Sequence, residues 1–138
     1  MAIIAIDFGK RRIGLAIAES ADSAAYPLGT ITRVSRDKDL EQLRSWIDSR
    51  AASQLVVGLP LNMDGSEGSS ARAARTFGAQ LANHLHLPVD YVDERLTSFE
   101  ARERLSNHQR GRHRKTAVDA VAATIILEEW LAAHRNSS

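Results

Sequence analysis

The apolar positions of this chain fall into unbroken runs near the N-terminus and into helical stripes further on. Residues 2–6 and 13–18 are almost wholly apolar, as in strands covered on both faces of a sheet. The residues joining them are too few for a parallel crossover, so the two form an antiparallel hairpin. A third strand is expected over residues 28–34, after a turn at Tyr26-Pro27. Within residues 37–51, Leu40, Leu43, Ile47 and Ala51 recur along one side of a helix. Residues 54–57 make a fourth strand that stops at Gly58-Leu59-Pro60, and Ala74, Phe77, Leu81 and Leu85 mark a second helix after a polar loop. Residues 89–92 are the fifth strand, followed by a short helix around 99–105, a basic loop and a final helix over about 117–133, with the last residues frayed. The order β-β-β-α-β-α-β-α-α is that of an α/β fold whose later strands are parallel and whose helices pack on the sheet faces. Ligands of such sheets collect outside the carboxyl ends of the parallel strands.

That edge gathers acids. Asp7 closes the first strand and is followed by Gly9, Lys10, Arg11 and Arg12, while Asp93-Glu94 follows the fifth strand. Asp119 lies near the start of the last helix with Ala122, Ala123, Ile126 and Trp130 on its side, so its carboxylate faces inward. An inward acid needs a positive partner. Carboxylates from three segments suit a hard divalent cation with oxygen ligands, magnesium first and manganese as its substitute. One such ion, or a pair about 3.5–4 Å apart, activates a water against a phosphodiester. Adjacent strand residues point to opposite faces, so only one of Asp93 and Glu94 can join the site; Glu94 is the choice and Asp93 the reserve. Each acid also has a plain structural explanation. Asp7-Phe8-Gly9 reads as turn chemistry, Asp93-Glu94 as exposed charge, and Thr116-x-x-Asp119 as a helix capping box.

A net charge of +1 is near neutral, so nucleic-acid binding must rest on local clusters. The stretch "HQRGRHRK" over 108–115 carries Arg110, Arg112, Arg114 and Lys115 with no acid among them. With Lys10, Arg11 and Arg12 it flanks the acidic edge, suited to phosphates and to binding that weakens as salt rises. Arg95 is either a phosphate contact or an ion-pair partner. The loop "GLPLNMDGSEGSS" offers the Asn62 amide and backbone N–H groups to a phosphate at a helix start, but it lacks the lysine of a P-loop. Aromatic residues make up only 5% of the chain and do not interleave with the cations, which favours recognition by backbone and shape over base stacking. The length of 138 residues fits one domain, 1–138. The absence of cysteine excludes disulfides and thiolate metal sites. No signal-peptide pattern or membrane-length apolar run is present, so a cytoplasmic protein without membrane contact is expected.

The segments "IDFGKRRIGLA", "VVGLPLNMDGS", "VDERLTSFEA" and "KTAVDAVAATIILEEWL" together resemble the YqgF (RuvX) family. The resemblance spans nearly the whole chain, with the segments in the family's order. It implies an RNase H-like fold, a mixed five-stranded sheet with helices on both faces. It also implies a nuclease that matures the 5′ end of 16S ribosomal RNA, or by fold kinship a Holliday-junction resolvase. The family's acids correspond to Asp7, Glu94 and Asp119. The expected protein is thus a magnesium-dependent endonuclease on structured nucleic acid, with precursor rRNA favoured over branched DNA, and with the ribosomal subunit or its assembly factors as further partners. A four-way DNA resolvase, ordinarily a dimer, a kinase- or ATPase-type nucleotide-binding lobe, and a non-catalytic RNA-binding assembly factor are the competing readings. The sequence shows no clear dimer seam.

Overall fold

Alternation along the strands sorts their side chains onto two unlike faces. β1 (Ala2–Phe8) pairs antiparallel with β2 (Arg12–Ala18), which pairs antiparallel with β3 (Ala25–Thr32). β4 (Ala52–Leu59) runs parallel to β1, and β5 (Val89–Asp93) parallel to β4, in a five-stranded sheet ordered β3-β2-β1-β4-β5. The structure, a computed structural model, describes residues 1–96 and 114–136. On one face Ile4, Ile6, Ile13, Leu15, Leu55 and Val57 pack against Leu40, Leu43 and Ile47 of α1 (Arg36–Ser49) and Ala74, Phe77 and Leu81 of α2 (Ser69–Leu85). On the other face Ile3, Ala5, Ala16, Ala18, Val56 and Val92 meet Ala123, Ile126, Leu127, Trp130 and Leu131 of α3 (Arg114–Asn136). Each large aliphatic side chain buried in this way contributes about 1.5–3 kcal/mol. The alanines on the second face leave room for α3 to lie close to the sheet. Helices thus cover both faces, and the fold is RNase H-like.

Several boundaries differ from the sequence expectation for definable reasons. β3 begins at Ala25 and contains Pro27 opposite Ala16, where the register shifts between Leu15 and Ala16. No turn is needed there, because β3 is an edge strand and an edge tolerates proline's missing N–H. α3 begins at Arg114, so Thr116 lies inside the helix and Asp119 on its second turn. The capping-box reading of Thr116 and Asp119 therefore fails. The far end of α3 is tied down: Arg135 donates to the carbonyls of Ala21 and Ser23 at 2.8 and 2.6 Å. The expected helix over 99–105 and the basic stretch up to residue 113 lie outside the described residues. Among the described residues no helix is long and apolar enough to cross a membrane.

Candidate active site

Two glycines in otherwise apolar strands decide how the acids meet. Asp7 shares the α3-facing side of β1 with Ile3 and Ala5, and sits directly opposite Gly14 of β2. A Cβ on Gly14 would overlap the Asp119 carbonyl oxygen, so the α3 backbone rests on the sheet at this position and sets Asp119 beside Asp7. On the other flank, a Cβ on Gly58 of β4 would come within 2.5 Å of Ile126 Cδ1 and 2.7 Å of Glu94 Oε1. Glu94 opens a single 3₁₀ turn, Glu94–Leu96, immediately after β5, and its side chain folds back over Gly58 toward Asp7. The parallel pairing of β1, β4 and β5 brings their carboxyl ends to one edge, where open α/β sheets place ligands.

Asp7 and Glu94 share a hydrogen bond. Burial pushes the Glu94 carboxyl up to about 8, helped by the negative charge of Asp7, by the hydrogen bond that Glu94 gives it, and by Asp93. Burial also raises Asp7, and the charge of Asp119 adds to this, while the bond from Glu94 acts the other way. At neutral pH, then, Glu94 keeps its proton and shares it with Asp7. Asp119 carries a charge-assisted hydrogen bond from Arg12, with Nε and Oδ2 2.5 Å apart. Among the described residues no group of three or more His, Cys, Asp or Glu side chains is gathered closely enough to hold a metal ion. The structure thus brings two of the three expected acids together and turns the third to Arg12. The donor chemistry still suits a hard divalent cation, with carboxylate oxygens from three elements at one edge. Two adjacent carboxyls raised by burial, Glu94 further by the charge of Asp7 and Asp7 by that of Asp119, are what such a cation would relieve.

Asp93 points away from this pair. Its carboxylate takes a two-point contact from Arg95, with Nη2–Oδ2 at 2.7 Å and Nε–Oδ1 at 3.1 Å, which holds it below the ordinary range. Arg95 also donates to the Met63 carbonyl at 3.1 Å, so of its two expected roles the ion pair is the one observed. Asn62 uses its amide within its own loop: Nδ2 donates to Ser66 Oγ at 2.9 Å, and its backbone N–H to the Ser66 carbonyl at 2.9 Å. It braces the loop before α2, on an exposed side chain. Lys10 and Arg11 are exposed on the β1–β2 turn beside Asp7. Arg114 and Lys115 start α3, and Arg110 and Arg112 lie outside the described residues.

Sequence reading missed Gly14 and Arg33, and took Gly58 only as the end of the fourth strand. The glycines carried a usable signal, since a glycine inside an apolar strand marks close approach by another group. Arg33 carried none. Its guanidinium lies 4.3 Å from the Phe8 ring centroid and donates to the carbonyls of Gly9 and Lys10 at 2.9 and 3.2 Å, fixing the turn that holds the exposed cations.

The model of the RuvX family, described as Holliday junction resolvase, matches residues 1–133. A protein of Rippkaea orientalis named "Putative pre-16S rRNA nuclease" is 46% identical over 133 residues, covering 96% of each chain. A protein of the same name from an Anaeromyxobacter species is 43% identical over 132 residues, covering 95% of this chain and 96% of that one. A solved structure of T. thermophilus RuvC in complex with Holliday junction substrate matches 98% of this chain and 96% of its own, with TM-score 0.64 and 13% identity. That likeness shows the shared fold alone. With a family match across residues 1–133 and relatives this similar over nearly their whole length, the chain belongs to the RuvX family.

Proposed function

We propose that this protein is a divalent-metal-dependent nuclease hydrolysing phosphodiester bonds in structured nucleic acid, with precursor 16S rRNA as its substrate. One observation carries the proposal: the Asp7–Glu94 carboxyl pair at the carboxyl edge of the parallel strands, with Asp119 set beside it by α3. The names of the relatives support the same reaction class and substrate. Asp7, Glu94 and Asp119 would hold magnesium or manganese. Such an ion, when bound, supplies a polarised phosphate and an acidified water.

The chain's own residues prepare and exclude. Asp7 and Glu94 form the buried pair, and Glu94 must release its proton before both its oxygens can serve as ligands. Gly14 and Gly58 keep the floor of the site free of side chains, so that Asp119 and Glu94 can approach Asp7. Lys10 and Arg11, with Arg110, Arg112, Arg114 and Lys115 of the basic segment, would hold phosphates on either side of the scissile bond, a contact set that reads backbone rather than sequence. A single domain working in the cytoplasm, on or near the assembling ribosomal subunit, completes the reading. The family's description as Holliday junction resolvase favours a second substrate, the four-way DNA junction.

The test compares wild type, Asp7→Asn and Asp119→Asn on an RNA spanning the 5′ end of 16S rRNA and on a matched four-way DNA, with magnesium or with chelator. Wild type should cleave the RNA only with the metal. Both variants should lose about a hundredfold or more in rate while retaining nucleic-acid affinity, as expected when an electrostatic element of a site is removed. Equal cleavage by wild type and Asp7→Asn would overturn the catalytic reading and leave a binding factor. Preference for the DNA would move the substrate to the junction.

A further inference from the structure

Arg12 does more than contribute positive charge to the edge of the site. In β2 it lies two residues from Gly14, the seat of the α3 backbone. Its Nε meets one oxygen of Asp119, whose charge also acts on Asp7. We infer that Arg12 is an exchangeable counter-ion: it neutralises Asp119 in the metal-free protein, and it transfers to a substrate phosphate when a divalent cation takes over that carboxylate. The inference rests on the proposed metal-dependent nuclease.

Three observations carry it. The pair is partly exposed, with side-chain exposures of 31% for Arg12 and 21% for Asp119, so a strand reaches Arg12 without unfolding. Ion pairs in that setting are weak enough to exchange. The contact runs through Nε to a single oxygen among the described residues, not the two-point fork of a fixed arginine–carboxylate pair, which Arg95 and Asp93 display close by. Finally, Gly14 fixes the backbone of Asp119 but not its carboxylate, so a side-chain rotation suffices to hand it from Arg12 to an ion held by Asp7 and Glu94. A guanidinium at that position repels an incoming dication, and a phosphate that draws it away removes the repulsion. Metal and nucleic acid should therefore bind cooperatively, each strengthening the other by the same factor.

The experiment uses the whole metal-free chain as wild type, Arg12→Gln, Arg12→Lys and Asp7→Asn. Magnesium affinity is measured by calorimetry without nucleic acid, and affinity for a labelled RNA hairpin by fluorescence anisotropy across a salt series, in chelator and with magnesium. Arg12→Gln keeps a hydrogen-bond donor for Asp119 but no charge. It should bind magnesium about tenfold more tightly than wild type, from removal of one positive charge beside a dication. With magnesium present it should also bind RNA more weakly, with a salt slope reduced by about one, whereas in chelator, where Asp119 holds Arg12, the slope should stay that of wild type. Arg12→Lys should keep the wild-type magnesium affinity within about twofold, since the repulsion depends on charge. Unchanged or weaker magnesium binding by Arg12→Gln, with wild type binding normally, would overturn the exchange and identify a permanent structural ion pair. Thermal unfolding confirms that this variant is folded, and Arg12→Lys provides the folded comparison if it is not: there, a magnesium affinity shifted well beyond twofold also overturns the inference. Magnesium binding absent from wild type, or undiminished in Asp7→Asn, would instead remove the metal site and the inference with it.

Discussion

Replacing Glu94 by glutamine should make the metal-free protein more stable at neutral pH, and the size of the gain follows from the site. In the folded chain Glu94 is held at about 8 against an ordinary 4.5. Below the ordinary value the carboxyl is protonated in both states and costs nothing. As pH rises, the unfolded chain releases the proton while the folded chain keeps it, so stability falls until the folded group ionises near 8 and is level above that. At pH 7 the cost is on the order of 3 kcal/mol, at about 1.4 kcal/mol for each pH unit separating that pH from the unfolded value. Glutamine cannot ionise, and its amide can replace the proton that Glu94 gives Asp7. Glu94→Gln should thus exceed wild type by about 3 kcal/mol at pH 7, or on the order of 10 °C in melting temperature, and the two should converge below about pH 4.5. Asp7 is also raised by burial and adds to the wild-type decline. Asp64, Glu67 and Asp93 are held low by their hydrogen bonds, so they lose their contribution only in acid, outside this window. Urea unfolding in chelator from pH 4 to 9 measures the difference. A wild-type stability that is flat or rising from pH 5 to 8, or a Glu94→Gln curve parallel to it, would refute the shared-proton account.

Other consequences can be checked separately. Gly14→Ala drives a methyl group into the Asp119 carbonyl and should cost about 3 kcal/mol or more as α3 lifts from the sheet; denaturant unfolding within 1 kcal/mol of wild type would contradict the close packing. Gly58→Ala meets side chains, Ile126 and Glu94, so it should cost less stability than Gly14→Ala but should displace Glu94, weakening magnesium binding by calorimetry. Magnesium binding at pH 7 should release close to one proton, from Glu94, falling toward none above about pH 9; calorimetry in buffers of different ionisation enthalpy counts it. Arg95→Ala removes the link between Asp93 and the Met63 carbonyl and should raise hydrogen exchange in the β4–α2 loop without changing exchange in β1.

Much of the molecule is written in local pattern. Unbroken apolar runs at β1 and β2, helical stripes in α1 and α2, and the acids at strand ends are properties of short windows, because burial on one or both faces imposes a period on the chain. The segments that mark the RuvX family are likewise contiguous. Their order, with the crossovers, is enough to bring Asp7 and Glu94 to one edge. Asp93 and Glu94 could be told apart to the extent that the strand period reaches Glu94 from Val92, whose side chain packs against α3.

What the chain alone left open depends on distances between segments far apart in sequence. Pro27 reads as a turn until the sheet order makes β3 an edge. Thr116 and Asp119 read as a cap until the helix is seen to begin at Arg114. Arg12 reads as one more cation until α3 brings Asp119 to it across 107 positions. The glycines at 14 and 58 gain their meaning only from what lies above them. A carboxylate's proton and its partner are set by burial and by charges a few ångströms away, and those quantities come into being only when the helix is laid on the sheet.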